Sequence, residues 1–129
     1  MAMVMQHAVD PREDLWNKIG KLDDIKIFNN WVLLAVYKRP EKTNMGLYLP
    51  DTVRKEDDYQ GKVGLVVKKG PLAFVDDEKT SFNGQNIDLG DWIVLRVSDG
   101  WSVEINGVLC RMVQDTHIRM AIPHPDAAF

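Results

Sequence analysis

Trp31–Gly61 reads WVLLAVYKRPEKTNMGLYLPDTVRKEDDYQG, and its character changes at Lys38. Trp31 to Tyr37 is a near-continuous run of aliphatic and aromatic residues bounded by Asn30 and Lys38. Such a run is expected of a buried strand, with one alternating set of side chains deeply covered. Lys38 to Gly61 has the composition of a loop: polar, charged and broken by Pro40, Gly46 and Pro50. Connections of this length are normally functional or disordered. Yet Leu47, Tyr48 and Leu49 stand together at its middle. An apolar triplet inside a solvated segment cannot reach a core without dragging charges along, so it reads as a partner-binding motif. The competing reading is a short edge strand laid on the body of the protein.

Outward from this stretch the pattern stays β. Lys62 to Lys69 (KVGLVVKK) places Val63, Leu65 and Val67 on one face, with Gly64 as a candidate bulge. Asp91 to Val97 is a further strand, and Ile118 to Ile122 a last one that ends at Pro123. Asp99-Gly100 and Asn106-Gly107 are hairpin signals, because both dipeptides tolerate the positive φ of tight primed turns. These turns read as joining the strands WSVEI and VLCRMV. A second long connection, Gly70 to Gly90, carries the acidic cluster Asp76-Asp77-Glu78 and then Asn83-Gly84. It reads as a projecting hairpin that turns near Asp76 to Lys79 or at Asn83-Gly84. Many short strands with Gly-rich turns and no central helix indicate a small all-β barrel or sandwich.

Residues 1–24 stand apart as an N-terminal arm, and residues 25–129 form the β domain with a tail at 123–129. In the arm, Asp10 can cap a helix, Pro11 suits its first position, and Glu13 completes a capping-box-like spacing. Leu15, Trp16 and Ile19 share one face, and Gly20 offers a stop. A helix near Pro11 to Ile19 is too short to stand alone. It docks either on its own barrel or on a neighbour.

With 129 residues and a net charge of -3, the chain is one domain without the electrostatic footprint of a nucleic-acid binder. Its single cysteine, Cys110, allows no intrachain disulfide and no cysteine-based metal site, which fits a reducing compartment. No apolar run approaches bilayer length, and the N-terminus is a poor signal peptide. His7, His117 and His124 lack metal-site spacing, and Asp76-Asp77-Glu78 is not followed by a calcium-loop pattern. Cys110 reads as a packed small hydrophobe. Of Trp31, Trp92 and Trp101, at least two are expected in the core or at a subunit contact. No enzyme, metal or cofactor is expected.

Taken in order, these motifs resemble the GroES-type co-chaperonins. The opening strand matches at Trp31 to Val36, and the end of the family's mobile loop at Met45-Gly46-Leu47-Tyr48-Leu49-Pro50. The start of the second strand matches at Gly61-Lys62-Val63, and the Val-Gly-Asp signature at Leu89-Gly90-Asp91-Trp92-Ile93-Val94. The closing acidic turn and strand match at Gln114 to Met120. Met45 replaces the first glycine of the family's Gly-Gly pair, and His117 stands where Asp is usual. The arm and the tail to Phe129 are additions that look like a bacteriophage-encoded variant.

The resemblance implies a small GroES-like β-barrel with a mobile loop at 38–61 and a roof hairpin at 70–90. It implies a homo-oligomeric ring that caps a GroEL-type chaperonin in the cytoplasm and assists protein folding. Gly46, Leu47, Tyr48, Leu49 and Pro50 would enter the partner's groove. Ile25 and Ile27 would meet Ile118, Met120 and Ile122 across the subunit interface. The alternative is a virion structural protein on the same barrel (capsid decoration, cement or connector), with other virion proteins as partners. An oligonucleotide-binding barrel is disfavoured by the acidic balance.

Overall fold

Both faces of Trp31–Val36 are covered, and that strand, β1, is the centre of the molecule. The computed structural model describes residues 10–38, 62–78, 80–96 and 98–127. The helix α1 (Pro11–Ile19) precedes β1, which is followed by β2 (Val63–Lys69) and β3 (Trp92–Val94). Then come β4 (Trp101–Ile105), β5 (Val108–Gln114) and β6 (Met120–Ile122). All pairings are antiparallel, in one six-stranded sheet of order β4-β5-β1-β2-β3-β6. The expected mostly-β architecture with one short helix is what forms.

Only one alternating set of β1 was expected to be deep, but both are. Leu33 and Ala35 pack with Val63, Leu65, Val67, Trp92 and Cys110 on one face. Val32 and Leu34 pack with Val66, Ile93, Leu95 and Val113 on the other. Each face has its own cover. Leu15, Ile19 and Leu22 close the first, so the arm's helix docks on its own sheet. Phe74, Ala73 and Ile87, from the connection between β2 and β3, close the second with Ile118.

α1 forms where its caps predict. The Asp10 carboxylate accepts from the Arg12 amide at 2.8 Å, and Gly20 ends the helix at φ 70°. Capping runs to the second helical residue, with Lys18 and Asp14 paired at 2.9 Å further along. The Asn106 side-chain amide donates to Ile19 O at 2.7 Å, and Lys68 Nζ donates to Leu22 O. These two bonds tie the helix exit to the hairpin tip and to β2.

Two local readings need correction. The register shift lies between Leu33 and Leu34, which pair with Lys68 and Val66, so the extra residue on β2 is Val67 and not Gly64. Gly64 instead allows close approach, since a Cβ there would sit 3.0 Å from Leu34 Cβ. Asp99-Gly100 does turn, with Gly100 at φ 71°, but it joins no hairpin. β3 pairs with β2 and β6, whereas β4 pairs with β5 at the other end of the strand order. Asn106-Gly107, at φ 52° and 81°, is the true hairpin turn, between β4 and β5.

Of the tryptophans, Trp92 is buried and Trp31 half-buried. Trp101 is exposed, its ring tilted against Trp31 at 6.4 Å. Cys110 is fully buried, and burial pushes its thiol up from 9.0 to about 11. Because the thiolate is the nucleophile, native Cys110 should resist iodoacetamide at about pH 8 and react only as urea unfolds the chain. The folded pKa is raised, so this group's contribution to stability is complete below the unfolded value. It is lost as pH climbs from 9.0 towards about 11. Labelling of the native protein as fast as that of the denatured chain would contradict the burial.

Candidate functional site

The segment singled out by the sequence leaves from β1 and returns to β2, two adjacent strands in the middle of the sheet. Its ends are therefore rooted in the best-packed part of the molecule. Val36 pairs with Gly64, and the Tyr37 amide donates to Val63 O at 2.9 Å. On the return side, Lys62 O accepts from the Leu95 amide at 2.8 Å. The Tyr37 ring is buried and stands edge-on to Trp92 at 5.7 Å. Its hydroxyl donates to Asp126 Oδ1 at 2.7 Å. Gly46, Leu47, Tyr48, Leu49 and Pro50 lie outside the described residues.

Asp126 comes from the single turn Pro125–Ala127, beyond β6, and is itself buried. Its amide donates to His124 Nδ1 at 3.2 Å, which fixes the turn. Sequence reading gave no hint of this contact. Tyr37 and Asp126 are 89 residues apart, and neither belongs to a motif that points at the other.

At the opposite end of β1 the chain is bound just as firmly. Gly70 N donates to Trp31 O at 2.8 Å and Leu72 N to Asn29 O at 2.9 Å. The buried Asp115 carboxylate accepts from Asn30 Nδ2 at 3.1 Å and from the Phe74 amide at 3.0 Å. Within the 70–90 connection, Asp76 and Asp77 hold turns, accepting from the amides of Phe82 at 2.6 Å and Thr80 at 2.7 Å. Asn83 and Gly84 turn at φ 54° and 78°, and Phe74 meets Phe82 edge-on at 5.4 Å. Among the described residues, no group of three or more His, Cys, Asp or Glu side chains could hold a metal ion. His117 accepts from the Gln114 amide at 3.3 Å within the turn Asp115–His117. Arg96 hydrogen-bonds Asp99 at 3.0 Å and holds its carboxyl below the usual range, which steadies the turn at Gly100.

The five interface candidates occupy two places. Met120 and Ile122 lie on β6, which is the last strand of the sheet and, among the described residues, pairs only with β3. Met120 is exposed, and Ile122 is half-buried opposite Trp92. Ile118 precedes them and packs against the second core cluster. Ile25 and Ile27 sit in an irregular stretch between two turns and pack against the first cluster, with Phe28 beside them 68% exposed. No described strand pairing joins residues 25–28 to β6 within the chain.

Residues 24–122 match the family model described as Chaperonin 10 Kd subunit. The chain belongs to that family. The match runs from the end of the arm through β6, and the fold is accordingly GroES-like. Similar proteins include the "Co-chaperonin GroES" of Nitratidesulfovibrio vulgaris strain DP4, 32% identical over 85 residues, or 66% of this chain and 83% of the relative. The protein of that name from Halothermothrix orenii is 33% identical over 88 residues, covering 59% of this chain and 92% of the relative. That from Oleidesulfovibrio alaskensis is 31% identical over 85 residues, with 66% and 83% covered. α1 and the turn at Pro125–Ala127 lie outside the region that matches the Chaperonin 10 Kd subunit family. No helix among the described residues is long and apolar enough to cross a membrane.

Proposed function

We propose that this protein is a co-chaperonin that caps a GroEL-type chaperonin ring and assists protein folding in the cytoplasm. One observation carries the reading: the family match spans residues 24–122, which include the whole of the 38–61 segment as well as the sheet. Gly46, Leu47, Tyr48, Leu49 and Pro50 are its contact with the partner. Gly46 permits the turn before the tripeptide, and Pro50 ends an extended stretch. The protein works by binding, so it needs no catalytic group, metal or cofactor. A chain that orders a segment on contact binds weakly by itself. A ring of such chains gains affinity through effective concentration and still releases when the partner changes shape.

The ring forms where β6 of one subunit meets the Ile25–Phe28 stretch of the next. Ile25 and Ile27 there face Ile118, Met120 and Ile122. Support comes from the position of β6 at the end of the sheet and from the exposure of Phe28 and Met120. Such pairing would cover a strand edge that is otherwise open to unregulated association. The protein should sediment as a closed multiple of its 14.7 kDa mass at micromolar concentration. It should also be retained by an immobilised GroEL-type chaperonin in a nucleotide-dependent way. Sedimentation as a monomer would refute the ring, and absence of retention with every nucleotide would refute the partner.

A second reading is a bacteriophage virion subunit built on the same fold. The observation that favours it is the pair of ends, residues 1–23 and 123–129, that flank the family match. It requires the protein to co-purify with particles and to be missing from chaperonin complexes.

A further inference from the structure

We propose that Asp126 is a positioning residue for the partner-binding segment: by accepting from Tyr37, it latches the root of that segment to the C-terminal turn. The inference rests on the co-chaperonin reading for its partner, but the latch stands on geometry alone. Tyr37 closes the ladder at the loop end of β1, with its amide bonded to Val63 O at 2.9 Å. Its ring is buried against Trp92, and its hydroxyl reaches Asp126 Oδ1 at 2.7 Å. A hydrogen bond to a buried carboxylate is among the stronger kinds. The turn that carries Asp126 is pinned in its own right, since Pro125 is fully buried and His124 Nδ1 takes the Asp126 amide at 3.2 Å.

Two further facts bear on the latch. Asp126 lies beyond the 24–122 match. Leu15 and Lys18 of α1 share a groove of about 550 Å³ with Val36, Lys38 and Val108. α1 is likewise outside the match. Both extra ends thus converge on the place where the binding segment leaves the sheet. Holding Tyr37 fixes the direction in which the chain leaves β1, and a preorganised root lowers the cost of binding.

The test compares Tyr37→Phe, Asp126→Ala, their double variant and Asp126→Asn, which keeps an acceptor oxygen. Limited trypsin digestion with mass mapping reads cleavage after Lys42, Arg54 and Lys55. Hydrogen exchange on β1 and β5 reads the core. Tyr37→Phe and Asp126→Ala should each raise cleavage in the segment about tenfold, with the double variant no worse than either single one. Asp126→Asn should stay within about twofold of the parent, and core exchange should not change. Affinity for a GroEL-type chaperonin should fall in the same order. Unchanged cleavage, additive effects, unchanged affinity, or core protection lost in step with cleavage would each overturn the proposal. If the parent protein binds no chaperonin, the co-chaperonin reading fails, and cleavage and exchange alone decide the latch.

Discussion

Gly100→Ala should cost the protein about 3 kcal/mol or more, a large part of the stability of a domain of this size. Gly100 has φ 71°, where an L side chain is disfavoured by roughly 1–2 kcal/mol. A Cβ built there would lie 2.2 Å from Met112 O and 2.6 Å from Val113 Cγ1. Neither neighbour can yield easily. Met112 pairs with Leu33 in the centre of the sheet, and Val113 is fully buried in the second core cluster. Gly107→Ala is the control. Its φ of 81° is similar, but nothing lies within 4 Å of the added carbon, so only the backbone cost of about 1 kcal/mol remains. Urea unfolding should separate the two variants clearly. Equal midpoints would mean that the Gly100 turn does not pack against β5 as described.

The contrast between those two glycines shows what the sequence could and could not say. Both follow Asx residues and both advertise a turn, because positive φ is a local property written in a dipeptide. Only Asn106-Gly107 joins paired strands. Which strand a turn leads to depends on the sheet order, and no local spacing encodes it. Likewise, the WVLLAVY run announces a buried strand, yet the cover on its two faces comes from α1 and from the 70–90 connection. Leu15 and Ile19 were legible as an apolar helix face, but its choice of the chain's own sheet over a neighbour was not. That choice is made by long-range fit, with Asn106 and Lys68 holding the helix exit. For the candidate site the division is sharper. The apolar tripeptide is visible because it contradicts its surroundings, whereas Tyr37–Asp126 is invisible because each residue alone is ordinary.

Replacing both Leu47 and Leu49 with Ser should abolish retention by a GroEL-type chaperonin while leaving the fold intact. Each leucine that enters an apolar groove contributes roughly 1.5–3 kcal/mol, and serine removes nearly all of it. The loss recurs in every subunit of a ring, so even part of it is multiplied through the linked contacts. The fold should survive because, among the described residues, α1 and the 70–90 connection already cover the two core clusters. Circular dichroism and the urea midpoint should therefore match the parent. In an extended segment Tyr48 projects to the opposite side, so Tyr48→Ala should weaken binding less or change which chaperonin is preferred. Retention of the double variant at parental strength would remove the tripeptide from the mechanism. A double variant that unfolds would show instead that Leu47 and Leu49 pack on the body of the protein, as the edge-strand reading requires. A parent that is never retained, inside a particle that fails to assemble with the double variant, would transfer the same residues to the virion reading. The tripeptide would then still be a contact, made to a different partner.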